Sequence, residues 1–283
     1  MNQVFNFNRW LALVIKHWSE NRKKYLLSLG GLAALQIIWF GFCIVIGRNH
    51  PMHEMMQVIT YYVSLILAGC FFASFQFSDL SSKSKGIEFL SLPASHFEKL
   101  LLTLLYSVVL FFISYTLVFY LVDIVMVKLG NAVSYSAWQH GEIQAYDPDK
   151  LANVFIADQP DLGETKVNIY YYIMLAYFAV QSAFILGSIY FPKFSFLKTI
   201  IALLIFVVLL MIFMGKILMP LFPPRINFNE NLTSLFVYGD DYSTKKVVTL
   251  PEWIGVSIIF LFKYAFAPIF WLITYYRLKE KQI

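Results

Sequence analysis

The stretch YLLSLGGLAALQIIWFGFCIVI, which runs from Tyr25 to Ile46, contains no Asp, Glu, Lys or Arg. A membrane-spanning helix needs about 20 consecutive apolar residues to cross a hydrocarbon layer roughly 30 Å thick. The stretch meets that requirement in both length and composition. We therefore expect Tyr25–Ile46 to form a helix in a lipid bilayer.

Five further stretches have the same length and character. The first three also lack all four charged residue types, and each of the other two contains one lysine. They are 58–77, 100–122, 167–191, 199–222 with Lys216, and 253–276 with Lys263. Continuous apolar runs differ from the short alternating pattern of an outer-membrane barrel. The sequence therefore predicts an all-α polytopic membrane protein with six transmembrane helices.

The composition of the whole chain agrees with this prediction. Of its 283 residues, 59% are hydrophobic and 14% are charged, whereas a soluble domain carries roughly 25% charged residues. A soluble enzyme, a disordered chain and a disulfide-stapled secreted domain are thereby excluded. The net charge of +5 comes from basic residues at the ends of apolar stretches, so it favours a lipid surface over nucleic acid. Cys43 and Cys70 both lie inside apolar stretches and are expected to be buried thiols.

Lysine and arginine are distributed unevenly between the two sides of the predicted bundle. With six spans the termini share one side, which holds 13 of these residues against seven on the other. The positive-inside rule places both termini in the cytoplasm. We expect a multi-pass protein of a bacterial inner membrane, forming one membrane domain over residues 1–283. Spans one to three lie in 25–128, an extracytoplasmic loop in 129–166 and spans four to six in 167–283.

Residues 5–22 are predicted to form an amphipathic helix before the first span. Trp10, Leu11, Val14 and Trp18 recur at the spacing of one helix face, and polar residues occupy the opposite face. Such a helix lies in the membrane interface with its tryptophans at the depth of the headgroups. Two roles are open for it: a simple anchor, or an elbow that clips the first span to its neighbours.

The cytoplasmic loop 78–95 joins the second and third spans. Pro93 disfavours helix in the residue before it, so a break in the chain is expected there. Ser95 followed by Glu98 has the pattern of a capping box, which predicts that a new helix begins at His96. Before the break, apolar side chains lie beside charged ones outside the membrane, and a patch of this kind usually requires a protein partner.

The residue types of this loop follow a recognisable order: a glycine, an acidic residue two positions later, a short apolar stretch, a proline and a capped helix with a lysine. They are Gly86, Glu88, Phe89–Leu92, Pro93 and Lys99. Together with six spans, cytoplasmic termini and an amphipathic N-terminal helix, this order resembles the permease subunits of type-2 ABC exporters.

The resemblance implies that the loop is a coupling helix seated in a groove of a separate cytoplasmic ABC ATPase subunit. The residues that it assigns to this contact are Gly86, Ile87, Glu88, Phe89, Leu92 and Pro93. It also implies a dimer with a second permease copy or a paralogue. ATP and Mg²⁺ are then expected on the ATPase, and no cofactor in this chain, which contains no Gly-x4-Gly-Lys-Ser/Thr pattern.

Three polar residues within the predicted spans are candidates for a substrate path. Lys263 falls near the middle of span six, where a lysine costs about 2.5–3.5 kcal/mol, so it is expected to face the bundle or a wet cavity. Gln36 and Gln181 lie at comparable depth. The alternative for all three is a structural hydrogen bond between helices. Pro268 is expected to bend span six just beyond Lys263.

Asp123 and Lys216 are expected near the outer interface, where they could form a structural ion pair. No metal site is predicted, because Pro51 separates His50 from His53 in a loop rather than a helix. An intramembrane enzyme would need clustered acids, bases or metal ligands on facing helices, and the sequence lacks them. The alternative to an exporter subunit is a non-transporting scaffold or sensor that uses the same loop to recruit another cytoplasmic protein.

Overall fold

The structure is a computed structural model, which describes residues 5–47, 52–143, 146–155, 169–218, 226–228, 234–238, 245–249 and 251–281. Within this part, five helical segments are long and apolar enough to cross a membrane. They are Phe7–Ile46, Glu54–Leu80, His96–Gln139, Tyr170–Tyr190 and Ser195–Ile212. The chain is therefore a predominantly helical, membrane-embedded protein.

Nine α-helices are found in the described residues. They are α1 (Phe7–Ile46), α2 (Glu54–Ala73), α3 (Lys83–Ser91), α4 (His96–Leu104), α5 (Phe111–Gln139), α6 (Ile169–Tyr190), α7 (Ser195–Ile212), α8 (Glu252–Tyr264) and α9 (Phe266–Glu280). A 3-10 turn precedes α3, and π-helical turns follow α4 and α7. Three short strands form an antiparallel sheet in the order β1-β2-β3, between the predicted fifth and sixth spans. They are β1 (Ile226–Phe228), β2 (Ser234–Tyr238) and β3 (Lys245–Thr249).

Helix α1 joins the predicted amphipathic helix 5–22 and the predicted first span into one element. Asn6 caps it, because its side chain accepts hydrogen bonds from the backbone of Asn8 and Arg9. Neither glycine nor proline occurs between Trp18 and Tyr25, so no residue there interrupts the ladder of hydrogen bonds. At 40 residues the helix is about 60 Å long, twice the hydrocarbon thickness. About half of it must therefore lie outside the hydrocarbon.

The third span begins where the sequence predicts and ends later. Both bonds of the capping box are present: the Glu98 backbone donates to Ser95 Oγ at 3.1 Å, and the Ser95 backbone donates to the Glu98 carboxylate at 2.8 Å. The helix then continues to Gln139, because the single glycine at position 130 does not stop it. The first part of the predicted loop 129–166 is therefore helical.

The region predicted as span six consists of two helices, α8 and α9, separated at Ala265. Pro268 has no N–H to donate to the Tyr264 carbonyl four residues earlier, which accounts for the interruption. The bend predicted beside this proline is confirmed. Helix α9 packs along α6 in the same direction. The Tyr264 hydroxyl meets that of Tyr171 at one end, and the Arg277 guanidinium lies 4.9 Å from the ring of Tyr190 at the other.

The beginning of α1 and the end of α9 lie at the same end of the bundle. The backbone N–H of Asn6 donates to Glu98 at the start of α4. The ring of Phe97, also at the start of α4, is 6.4 Å from that of Tyr275 on α9. Helix α3 lies at this end too, and we refer to it as the α3 end of the bundle.

Gly187 allows α6 and α7 to approach closely. A Cβ atom at this position would come within 2.9 Å of Thr199 Cβ and Cγ2, and Thr199 is the buried side chain of α7. We expect Gly187→Ala to lower the free energy of unfolding by about 1–3 kcal/mol. The reaction of the buried thiols Cys43 and Cys70 with a fluorogenic maleimide during denaturation measures this. Gly30→Ala is the control, because nothing lies within 4 Å of the added methyl, and this variant should unfold like the native chain. An equal loss of unfolding free energy in both variants would contradict the packing argument.

Candidate functional site

Glu98 connects the first turn of α4 to the first turn of α1. Its side chain is fully buried, and both carboxylate oxygens accept two hydrogen bonds. The Arg9 guanidinium donates to each oxygen, at 2.7 and 2.8 Å. The backbone N–H groups of Asn6 and Ser95 add one bond each at 2.8 Å. One carboxylate therefore fixes the position of α1 relative to α4.

Lys99, the next residue, connects α4 to α3. It is 1% exposed, and its Nζ donates to the Leu90 carbonyl at 3.0 Å. The carbonyls in the last turn of a helix have no partner within the helix, so this bond caps α3. The ammonium also lies 5.3 Å from the centre of the Phe89 ring, within the range of a cation–π interaction. We call the contacts made by Glu98 and Lys99 together the Glu98–Lys99 junction.

The six residues predicted to contact an ATPase are divided between two faces of the α3 segment. Gly86 is buried and Phe89 is half-buried, with the Phe89 ring 6.3 Å from that of Phe77. Leu92 is half-buried and packs against a small core cluster around Leu13. These three residues hold the segment to the bundle.

The other three residues face outward. Ile87 is 57% exposed, and Glu88 and Pro93 are also exposed. Ile87 and Glu88 together form a small surface that is partly apolar and partly charged. The surface is held rigidly, because the opposite side of α3 packs against the bundle. Of the six predicted contact residues, three are therefore exposed to a partner, and the surface that they form is centred on Ile87 and Glu88.

A polar groove of about 280 Å³ separates α3 from the first half of α1. Lys16 and Glu20 line it from α1, and Lys85 and Glu88 line it from α3. Leu102 contributes to its apolar part. Acidic and basic side chains on both walls give the groove alternating charge rather than a single sign.

The structure does not bring together the three candidate substrate-path residues. The Gln181 amide donates to the Ser107 carbonyl at 2.5 Å, which lies in the π-helical turn after α4, so its contact is structural. Lys263 Nζ is 5.0 Å from the ring of Tyr172 in the first turn of α6. That turn lies at the end of the bundle opposite α3, so Lys263 lies toward that end. Gln36 is on α1, beside a cleft described below.

Asp123 and Lys216 are also apart. Asp123 is fully buried, and neither carboxylate oxygen has a hydrogen-bond partner among the described residues. Lys216 is exposed in the π-helical turn after α7. The predicted ion pair is therefore not formed in this structure.

Sequence reasoning missed a non-helical segment, Asp149–Phe155, which runs between the helices at the end opposite α3. Gln57 is fully buried and makes two of the bonds that hold it, with a third bond to Met52 before α2. Its amide donates to the carbonyls of Met52 at 2.6 Å and Lys150 at 2.8 Å, and its oxygen accepts from the Ala152 backbone at 2.8 Å. We call Asp149–Phe155 the inserted segment.

Further side chains from the helices complete the polar contacts of the inserted segment. Asn131 exchanges two bonds with the backbone of Asp149, at 2.8 and 2.9 Å. At Val154, the carbonyl accepts from the Tyr62 hydroxyl at 2.9 Å, and the N–H donates to the Tyr120 hydroxyl at 3.2 Å. Non-helical backbone is tolerated among membrane helices only where protein or water satisfies it, and here helix side chains do so.

No family model, curated protein or solved structure matches this chain. Among the described residues, no three His, Cys, Asp or Glu side chains are grouped so as to hold a metal ion. The arrangement at the α3 end joins α1, α3 and α4 and presents one small outward surface. Through these contacts, a displacement of that surface would be transmitted to the membrane helices.

Proposed function

We propose that the chain is the membrane-spanning permease subunit of an ATP-driven exporter, coupled through α3 to a separate ABC ATPase subunit. The observation that supports this most is the division of α3 into two faces. Phe89 and the Lys99 bond hold one face to the bundle, while Ile87 and Glu88 are exposed on the other. A helix built in this way can receive a push from a partner without separating from the spans.

The Glu98–Lys99 junction would transmit such a displacement of α3 to the membrane helices. Lys99 fixes α3 to α4, and Glu98 fixes α4 to α1. The 3-10 turn before α3 leads back to α2. Displacement of α3 would therefore move three membrane helices together. ATP and Mg²⁺ belong to the ATPase, and the residues of this chain supply the contact surface and the mechanical linkage.

The proposed topology has six crossings, with α8 and α9 together forming the sixth, and both termini in the cytoplasm of a bacterium. The shared position of the first and last helix ends supports an even number of crossings. Phe7, Leu11, Ile15 and Trp18 are all at least 41% exposed and recur on one face of α1, which supports an interfacial position for its first half. Helix α7 exposes most of its apolar side chains, leaving a surface for a second permease copy or for lipid.

Glu88→Lys should reduce recovery of the ATPase with the tagged chain by at least about tenfold, because placing like charges at an interface costs several kcal/mol. Affinity purification from the native membrane with quantitative mass spectrometry measures this. Glu54→Lys is the matched control, since Glu54 is equally exposed at the start of α2, at the opposite end of the bundle. Equal recovery of a Walker A protein with both variants would contradict the assignment. Consistent recovery of a cytoplasmic protein without that motif would favour the scaffold.

A further inference from the structure

A cleft of about 1080 Å³ lies between α1 and α2. The two helices are consecutive in the chain, but α1 packs along α5 and α2 packs along α6, so their facing surfaces are held apart. The cleft adjoins the polar groove between α3 and the first half of α1, since five residues line both cavities: His17, Asn21, Lys24, Gln76 and Asp79. The groove and the cleft therefore form one continuous site with a charged part and an apolar part.

The apolar part of the site has the depth of one leaflet. Its walls are mostly apolar, with Leu35 contributing from α1 and Leu67 from α2. It extends from Lys24 to Gln36, a distance of about 18 Å for 12 residues of helix. One leaflet of hydrocarbon is roughly 15 Å deep, half of the full thickness of about 30 Å. Acyl chains of a single leaflet therefore match the cleft in length.

The inner end of the cleft is closed. Trp39 Nε1 donates to Thr60 Oγ1 at 3.1 Å, and this bond joins α1 to α2. Gln36, beside it, is buried, and its side chain interacts with the Tyr115 hydroxyl, so it is not offered to a ligand. A helix from a second copy of the chain would need about 30 Å to cross the hydrocarbon, which the closed cleft does not provide.

The charged part of the site lies at the depth of the lipid headgroups. Lys24 directly precedes the apolar stretch that begins at Tyr25, and Asp79 follows the apolar stretch 58–77 by two residues. The Lys24 ammonium is exposed. Its hydrogen bond to the Asn21 side chain is 3.4 Å long and uses one of three donors, which leaves the others for an anion.

Carboxylates of the same groove have acceptor oxygens to offer. Asp79 is 3.9 Å from Lys85, and Glu20 is 3.6 Å from Lys16. Neither distance is short enough for a hydrogen bond, and all four side chains are at least 42% exposed. The groove therefore offers hydrogen-bond donors and acceptors of opposite charge side by side, at the mouth of an apolar cleft.

We propose that the site binds one phospholipid whose headgroup carries a phosphate and a primary ammonium, the chemical class of phosphatidylethanolamine. The phosphate meets Lys24, the ammonium donates to Asp79 and Glu20, and acyl chain lies along the apolar walls. A headgroup with both charges complements walls with both charges, whereas an anionic headgroup would face the two carboxylates unpaired. The site does not depend on whether the chain is an exporter subunit.

Native mass spectrometry of the purified full chain, titrated with phosphatidylethanolamine, phosphatidylcholine and phosphatidylglycerol of identical acyl chains, tests the proposal. We expect phosphatidylethanolamine to bind about tenfold more tightly than phosphatidylcholine, whose trimethylated ammonium cannot donate the charge-assisted hydrogen bond. Asp79→Asn should largely remove this preference. Lys24→Gln should weaken all three lipids, since each contains the phosphate. The controls Asp147→Asn and Lys128→Gln, at exposed positions toward the opposite end of the bundle, should change neither property.

Gly31→Leu tests the apolar part and leaves the charged part in place. Gly31 lines the cleft, and a Cβ atom there would meet nothing within 4 Å, so the larger side chain fills the cleft and binding of all three lipids should be lost. Gly30→Leu adds the same side chain at the next position, which is equally open but outside the cleft lining, and should bind like the native chain. Equal affinity for phosphatidylethanolamine and phosphatidylcholine, tighter binding of phosphatidylglycerol than of phosphatidylethanolamine, or unchanged binding by Gly31→Leu would overturn the proposal.

Discussion

Glu98→Gln should lower the free energy of unfolding by about 3 kcal/mol, the loss expected when a buried, hydrogen-bonded charge pair is broken. The carboxylate accepts four bonds, two from Arg9 and two from backbone N–H groups. An amide replaces one accepting oxygen with a donor, which then faces other donors. Chemical denaturation followed by maleimide labelling of Cys43 and Cys70 measures the change.

Two further variants test whether the loss of stability comes from the Glu98–Lys99 junction or from the removal of a charge in general. Glu88→Gln makes the same chemical change on the exposed face of α3 and should leave the unfolding midpoint unchanged. Arg9→Gln should also lower the free energy of unfolding, because it leaves the buried Glu98 carboxylate with only its two backbone donors. If Glu98→Gln unfolded at the same midpoint as Glu88→Gln, Glu98 would not fix α1 to α4.

Gln57→Leu should release the inserted segment. The substitution removes three hydrogen bonds, two of them fully buried, and leaves the carbonyls of Met52 and Lys150 and the N–H of Ala152 without this partner. At about 1–3 kcal/mol for each unsatisfied group, the total loss is roughly 3 kcal/mol or more. Because local unfolding exposes backbone to proteases, trypsin should cleave after Lys150 much faster in this variant.

Limited proteolysis with mass spectrometry of the fragments follows that cleavage. Gln139→Leu is a suitable control, since it removes a glutamine whose 3.1 Å bond to the Tyr135 hydroxyl is exposed. Cleavage after Lys150 should stay slow in the control. Equal rates in the two variants would mean that Gln57 does not hold the inserted segment.

Features that depend on neighbouring residues follow from the sequence alone. The capping box of Ser95 and Glu98 requires a spacing of three residues, and it places the start of α4 correctly at His96. Pro268 interrupts a helix because it lacks an N–H, wherever that helix lies. The apolar stretches predict membrane helices because the bilayer fixes the length that they need.

Features that depend on distant residues do not follow from the sequence. Arg9 and Glu98 are separated by 89 positions, and no local pattern pairs them. The inserted segment follows Asp147 and Pro148, which are typical of an exposed loop, and its burial depends on side chains from two helices. Lys263 and Tyr172 are a third example, because no local pattern shows that the Lys263 ammonium lies 5.0 Å from that ring.

The central claim, that α3 is the contact surface for an ATPase, is tested most directly by cross-linking in the native membrane. A photo-reactive phenylalanine at Ile87 would be activated, and its product identified by mass spectrometry, with the same probe at Phe89 as the control facing the bundle. The account predicts a cross-link from Ile87 to a protein with a Walker A motif, and from Phe89 only products within the chain. Cross-links from Ile87 to lipid alone, or to a protein without that motif, would contradict it.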